Sequence, residues 1–163
     1  MVSLVVIVIM GLGMNLITFS LFGDNPLYCQ GAVENANIAR VIYPEWTARF
    51  YVAQDVPEDY IKEIEDYGAE VVRCEKKNSY DGLNWRFRPL HDPNVEYWIS
   101  RDADSRLSWR ERNAVDEWME SDKSAHLLRD CHNHGFTIMA GMFGINNKLF
   151  HERYGVLNLD NAN

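Results

Sequence analysis

The chain has 163 residues, 47% of them hydrophobic, which is enough for one domain with a real core and too few for two substantial ones. Its 24 acidic against 16 basic residues leave a net charge of -8, which excludes nucleic-acid or anionic-lipid binding by bulk electrostatics, because phosphates are repelled on average. Cys29, Cys74 and Cys131 are widely spaced and form no Cys-x-x-Cys pair, so they fit neither a disulfide framework nor a zinc knuckle and point to a reducing, cytoplasmic setting.

From Val2 to Gly23 no side chain is charged, a length that would pass for a membrane span, and membrane association through residues 2–23 is one expectation. Glycines, Asn15, Ser3, Thr18 and Ser20 dilute the segment, and no basic residue flanks it. The favoured reading is an apolar extension over residues 1–13 followed by a buried parallel strand from Leu16 to Phe22, with Met14 as an alternative translational start. The domain proper would run over 14–157 and end in a polar tail, 158–163.

A helix is expected from about Gly31 to Ile42, with Val33, Ala36, Ile38 and Ala39 spaced for burial, and Pro44-Glu45-Trp46 breaks it. Thr47 to Val52 is a run of strand formers. Asp55-Val56-Pro57-Glu58 opens a second helix whose stripe is Ile61, Ile64 and Tyr67, with Gly68 placed for a left-handed cap. Ala69 to Cys74 returns as a strand. Strand, helix, strand, helix, strand predicts a parallel sheet whose ligands bind beyond the C-terminal strand ends.

Val95, Tyr97 and Ile99 alternate with Glu96, Trp98 and Ser100, so a strand with one face on the core is expected there. Where it runs out stands Arg101-Asp102-Ala103-Asp104-Ser105-Arg106. Residues two apart on an extended segment project to the same side, so Asp102 and Asp104 could converge on one hard divalent cation, and the cation in turn on a diphosphate. Taken alone, Asp-x-Asp equally describes solvated turn residues. Ser108-Trp109-Arg110-Glu111 matches a capping box, opening a helix with Ala114, Val115, Trp118 and Met119 on one face. Arg101, Arg106, Arg110 and Arg112 form a basic cluster in an acidic chain, suited to phosphate, although Arg112 is placed for helix-face ion pairs with Glu111, Asp116 and Glu117. The sequence has no Gly-x-Gly-x-x-Gly or Walker loop. Cys131 with His132 and His134 could be drawn as a zinc or nucleophile site, but no second ligand pair is suitably spaced.

Phe19-Ser20-Leu21-Phe22-Gly23-Asp24-Asn25 with Tyr28, Glu34-Asn35-Ala36, Ile42-Tyr43-Pro44 and Arg49-Phe50-Tyr51-Val52 carry a resemblance. It continues through Trp85-Arg86-Phe87, Arg101 to Arg106, Arg110-Glu111, Ala114-Val115, Glu117-Trp118, His126, Arg129-Asp130, His134 and Gly141-Met142-Phe143-Gly144. Over roughly residues 15 to 145 the chain resembles a family of small GT-A-fold nucleotide-sugar glycosyltransferases that includes a chlorella-virus glycosyltransferase domain.

The resemblance implies a GT-A, Rossmann-like α/β domain with a mostly parallel sheet flanked by helices. It implies transfer of a hexose from a nucleoside diphosphate sugar, UDP-linked, to a glycan hydroxyl, with Mn2+ or Mg2+ bridging the diphosphate. Asp104 would ligate the metal directly and Asp102 would contact metal or ribose. Phe19, Ser20, Leu21, Phe22 and Gly23 would line the nucleotide pocket with Ala103, and Arg86 and Arg106 would meet phosphate or sugar. Gly141 and Met142 would belong to a tight backbone element, Gly141-Met142-Phe143-Gly144, near the donor sugar. Asp130 is the candidate base, Glu111 being better explained as a cap, and His126, His132 and His134 are further candidates. The chain stops sooner after Gly144 than members of that family do. Two other readings therefore stand beside it, a metal-dependent nucleotidyltransferase and a shortened, non-catalytic interaction domain.

Overall fold

The computed structural model describes residues 13–78, 80–129 and 139–155. Its centre is a six-stranded sheet in the order β3-β2-β1-β4-β6-β5. The strands are β1 (Met14–Leu21), β2 (Thr47–Ala53), β3 (Glu70–Cys74), β4 (Val95–Arg101), β5 (Ala125–Leu127) and β6 (Met142–Asn146). The first four are mutually parallel, and β6 and β5 close the far side antiparallel. Helices α1 (Pro26–Ile42), α2 (Glu58–Asp66), α3 (Asp81–Asn84), α4 (Trp109–Met119) and α5 (Asn147–Tyr154) complete the domain, with a 3-10 segment over Trp85–His91.

β1 is covered on both faces, as a central parallel strand must be. Ile17, Phe19 and Leu21 alternate onto the side of α1 and join Ala32, Val33, Ala36 and Ala39 in the main core. Each large side chain buried there is worth about 1.5–3 kcal/mol. Phe19 stacks on its register partner Phe50 at 4.5 Å between ring centroids. On the other face, Thr18 Oγ1 donates to the carbonyls of Arg86 (2.9 Å) and Ile99 (3.1 Å), and Ser20 Oγ accepts from the Arg86 N–H at 3.2 Å. Those bonds suture the 3-10 segment to β1.

Two expectations need correction. α1 begins at Pro26, five residues before Gly31, because the Asn25 side chain caps the Leu27 N–H at 3.0 Å and proline occupies the first turn, where no amide partner is lost. β4 is buried on both faces, since Trp98 packs with Leu16, Val95 and Ile145 while Ile99 enters the main core. Gly141 closes a turn, with the Met142 N–H donating to the Met139 carbonyl at 3.0 Å, and Met142-Phe143-Gly144 then begins β6, where Gly144 pairs with Ile99 and lies against Trp118. A side chain at Gly144 would press on both, so glycine serves close packing there.

Among the described residues no helix is long and apolar enough to cross a membrane. The capping box of α4 is present as expected, Glu111 N–H donating to Ser108 Oγ (3.3 Å) and Ser108 N–H to Glu111 Oε2 (3.1 Å). Arg112 pairs with Asp116 at 2.7 Å, as its position on the helix face predicts, and also with Glu45 across the fold.

Candidate functional site

Because β1 and β4 are parallel neighbours, their C-terminal ends open onto one edge, where crossover connections diverge and leave a crevice. A cavity of about 410 Å³ lies there, lined by Ser20, Leu21, Phe22 and Arg86 with Asp102, Ala103 and Asp104. These seven residues, all singled out by the sequence, come together from three separate segments. Asn25, Tyr28 and Leu83 complete the lining.

Arg86 is the organising side chain. It is 6% exposed, and its guanidinium binds the Asp102 carboxylate and donates to the Arg101 carbonyl at 3.2 Å. Its own backbone is held by Thr18 and Ser20, so one residue ties the end of β1 to the end of β4. Arg86 is buried while the Asp102 side chain is 41% exposed, so the pair directs one carboxylate oxygen and leaves the group open to the cavity. Gly141 lies against the other Asp102 oxygen, so closely that a Cβ would overlap the carboxylate. Asp104 is exposed, and its carboxylate has no partner among the described residues.

The Asp102–Leu107 loop is pinned from α1. Asn35, fully buried, donates to the carbonyls of Ala103 (3.3 Å) and Ser105 (2.7 Å) and accepts the Leu107 N–H at 3.1 Å. Gly31, one turn earlier, lets α1 approach until a Cβ there would overlap the Ala103 carbonyl. Glu34 pairs with Arg106 from the same helix. The loop carrying both aspartates is thus set by side chains of α1 that the sequence pattern gave no reason to connect to it.

Phe22 packs over Gly82 and has the Lys76 ammonium 5.5 Å from its ring centre. Gly23 takes φ +77°, and its N–H donates to Asp55 Oδ1 at 2.8 Å. Lys76 and that amide hold the Asp55 carboxyl below the usual range.

The other sequence candidates fall elsewhere. Phe19 is wholly buried in the main core, on the opposite pleat face from Ser20, and does not line the cavity. Arg106 and Met142 border a second cavity of about 330 Å³, with Arg101, Arg110, Glu111 and Arg129. His126 is buried and stacks on Trp118 at 5.3 Å, and burial with the nearby Arg101 charge lowers its pKa to about 4. Asp130, Cys131, His132 and His134 lie outside the described residues. Asn25 and Tyr28 were in the family pattern without a role, and nothing in the sequence marked Asn35 or Leu83 as neighbours of the aspartates' loop.

Among the described residues no three His, Cys, Asp or Glu side chains gather into a ready-made metal cage. The donor set fits a hard cation shared with a ligand, two carboxylates offering unpaired oxygens at a cavity mouth, since Mg2+-like ions take one or two carboxylates plus phosphate and water.

Neither a family model nor a curated protein matches this chain. Solved structures do. A mannosyltransferase from Pyrobaculum calidifontis, in complex with GDP-Man and Mn2+, aligns at TM-score 0.56 and 11% identity over 90% of this chain and 48% of its own. An active-site mutant of LgtC aligns at 0.54 and 12% over 90% and 61% respectively. The 4-diphosphocytidyl-2C-methyl-D-erythritol synthase of Anaerococcus prevotii aligns at 0.50 and 14% over 87% and 74%. The chain thus spans about half to three fifths of the length of the first two structures. With its four parallel strands, antiparallel closing edge and flanking helices, the chain has the GT-A-like α/β fold of those glycosyltransferases.

Proposed function

We propose that the protein is a metal-dependent glycosyltransferase that moves a hexose from a nucleoside diphosphate sugar, UDP-linked, to a glycan hydroxyl. The observation that carries this is the 410 Å³ cavity at the ends of β1 and β4, which joins Asp102 and Asp104 to Ser20–Phe22 and Arg86. The fold is shared with a structure described with GDP-Man and Mn2+, which supports the same class of donor and ion here.

In this reading the apolar rim of Phe22, Tyr28 and Leu83 receives the base, and Asp104 with the free oxygen of Asp102 holds Mn2+ or Mg2+. The bound ion supplies neutralisation of the charge on the leaving diphosphate. Arg86 keeps the Asp102 carboxylate aimed, and Gly141 leaves room for it. Asp130 is retained as the proposed base for the acceptor hydroxyl.

A thermal-shift panel of UDP- and GDP-sugars with and without Mn2+ tests this. A donor at one hundred times its Kd adds about 2.7 kcal/mol, which for a domain of this size raises Tm by roughly 5–10 °C. Asp104→Ala is expected to abolish the Mn2+-dependent part. No metal-dependent shift with any nucleotide sugar defeats the proposal and favours a non-catalytic domain. The likeness to the erythritol synthase favours a second reading, nucleotidyl transfer, in which a nucleoside triphosphate is consumed and pyrophosphate released. Analysis of products separates the two.

A further inference from the structure

We infer that the second cavity binds the acceptor through an anionic group, so that the sugar receiving the hexose carries a carboxylate or a phosphate. The inference rests on the donor site proposed above, with which this cavity shares a loop. Residues 102–104 line one cavity and 105–108 the other, so consecutive residues of one loop wall both.

Four arginines, Arg101, Arg106, Arg110 and Arg129, border this 330 Å³ space in a chain whose net charge is -8. The one carboxylate in the lining is Glu111, and it is already engaged by Arg101 Nε at 2.6 Å and by the Ser108 backbone in the capping box. Arg106 is answered by Glu34. Arg110 makes no ion pair among the described residues. Arg101 is the sharper sign. Its side chain is only 3% exposed, three of its contacts are accounted for by Glu111, Ser100 and Phe143, and its Nη2 has no partner among the described residues.

A buried guanidinium donor without an acceptor costs free energy that an incoming oxyanion recovers. Leu107, Ala114, Leu128 and Met142 add apolar wall that suits the C–H face of a sugar ring, with Ser105 and Ser108 between them and the arginines in the lining. The volume lies in the range of small-molecule pockets. The donor diphosphate has its own place at Asp102 and Asp104, so the second anion belongs to the other substrate.

Calorimetric titration of the full chain at low ionic strength with glucuronic acid, glucose 6-phosphate and glucose tests this. At least one charged sugar is expected to bind ten-fold or more tightly than glucose, and the better of the two identifies carboxylate or phosphate as the group. Arg110→Glu, a surface change that leaves the core intact, should lose that preference, and Arg110→Lys should keep part of it. Equal binding of glucose, no binding of either charged sugar, or a preference untouched by Arg110→Glu overturns the inference. Failure of the donor reading shows separately. The Mn2+-dependent shift with nucleotide sugars is read on the same Arg110→Glu protein, where it should persist. Charged-sugar binding without that shift defeats the donor site alone, and the shift without charged-sugar binding defeats the acceptor inference alone.

Discussion

The two cavities are built on one loop and are opposite in electrostatic character. Around the first, Asp102 and Asp104 stand with a single arginine that is already committed to Asp102. Around the second, four arginines face a single glutamate that is already committed to Arg101 and the α4 cap. A six-residue stretch from Arg101 to Arg106 therefore presents carboxylates to one side and guanidinium groups to the other. Charges of both signs this close together would collapse onto each other in a free loop. Here Arg86, Glu111, Glu34 and Asn35 hold them apart, each from a different direction.

Asn35 is where the difference between the cavities is most easily broken. Asn35→Ala removes two buried hydrogen bonds and one part-buried one, and it strands the Leu107 N–H, while the Ala103 carbonyl keeps Arg106 Nη1 at 3.2 Å and Ser105 is exposed. At about 1–3 kcal/mol for a polar group stranded in the interior, with the two other lost bonds adding less, a loss of roughly 3 kcal/mol in chemical denaturation is expected. If the loop carries both ligand sites, residual folded protein should lose donor-dependent and charged-sugar binding together. Retention of one with loss of the other would show that the two halves of the loop are held independently.

His126 sharpens the comparison from the arginine side. Burial, with the Arg101 charge added, lowers its folded pKa to about 4, below the ordinary value of 6.5. Above pH 6.5 the ring is neutral folded and unfolded and contributes no slope. As pH falls from 6.5 to 4 the unfolded chain takes up a proton that the folded protein refuses, so stability drops. At about 1.4 kcal/mol per unit, the loss over that window is about 3 kcal/mol. His126→Gln should flatten the denaturation midpoint between those pH values. The lowered Asp55 and Glu45 carboxyls act mainly below that window, so an unchanged slope in the variant would assign the effect elsewhere.

The same contrast governs what could be read from the sequence. β1 was legible as a continuous apolar run, β2 and β3 as short runs of strand formers, and β4 by alternation, each set off by Pro, Gly or Asp. The start of α1 was not, because its first turn carries the exposed Leu27 and Tyr28 and the burial period begins only at Cys29. Trp85–His91 has no helical or strand period and contains Pro89, so the segment that places Arg86 gave no pattern to follow. Of the cavity residues, Ser20–Phe22 and Asp102–Asp104 were visible as strand ends. Phe19 was misplaced because it stands two residues short of the strand end, inside the main core, whereas Leu21 on the same face reaches the cavity. Asn35 was quoted as part of a pattern, yet its three bonds span about seventy residues of sequence, a distance no local period reports.

Gly141 separates geometry from stability at the first cavity. Its position at the entry to β6 puts its Cα against the Asp102 carboxylate, the movable end of a short side chain rather than rigid backbone. Gly141→Ala should therefore cost about 1–2 kcal/mol in unfolding, since the carboxylate yields before the strand does and its pair with Arg86 is disturbed. What it should lose is the aim of Asp102. If that carboxylate holds a cation with Asp104, the Mn2+-dependent thermal shift with nucleotide sugar falls at least ten-fold in apparent affinity while charged-sugar binding at the arginine cavity is unchanged. Isothermal titration of the variant with both ligands reads the two effects in one protein. A variant that binds donor and Mn2+ as well as the parent would mean that Asp102 serves only to anchor Arg86, and that Asp104 alone faces the ligand.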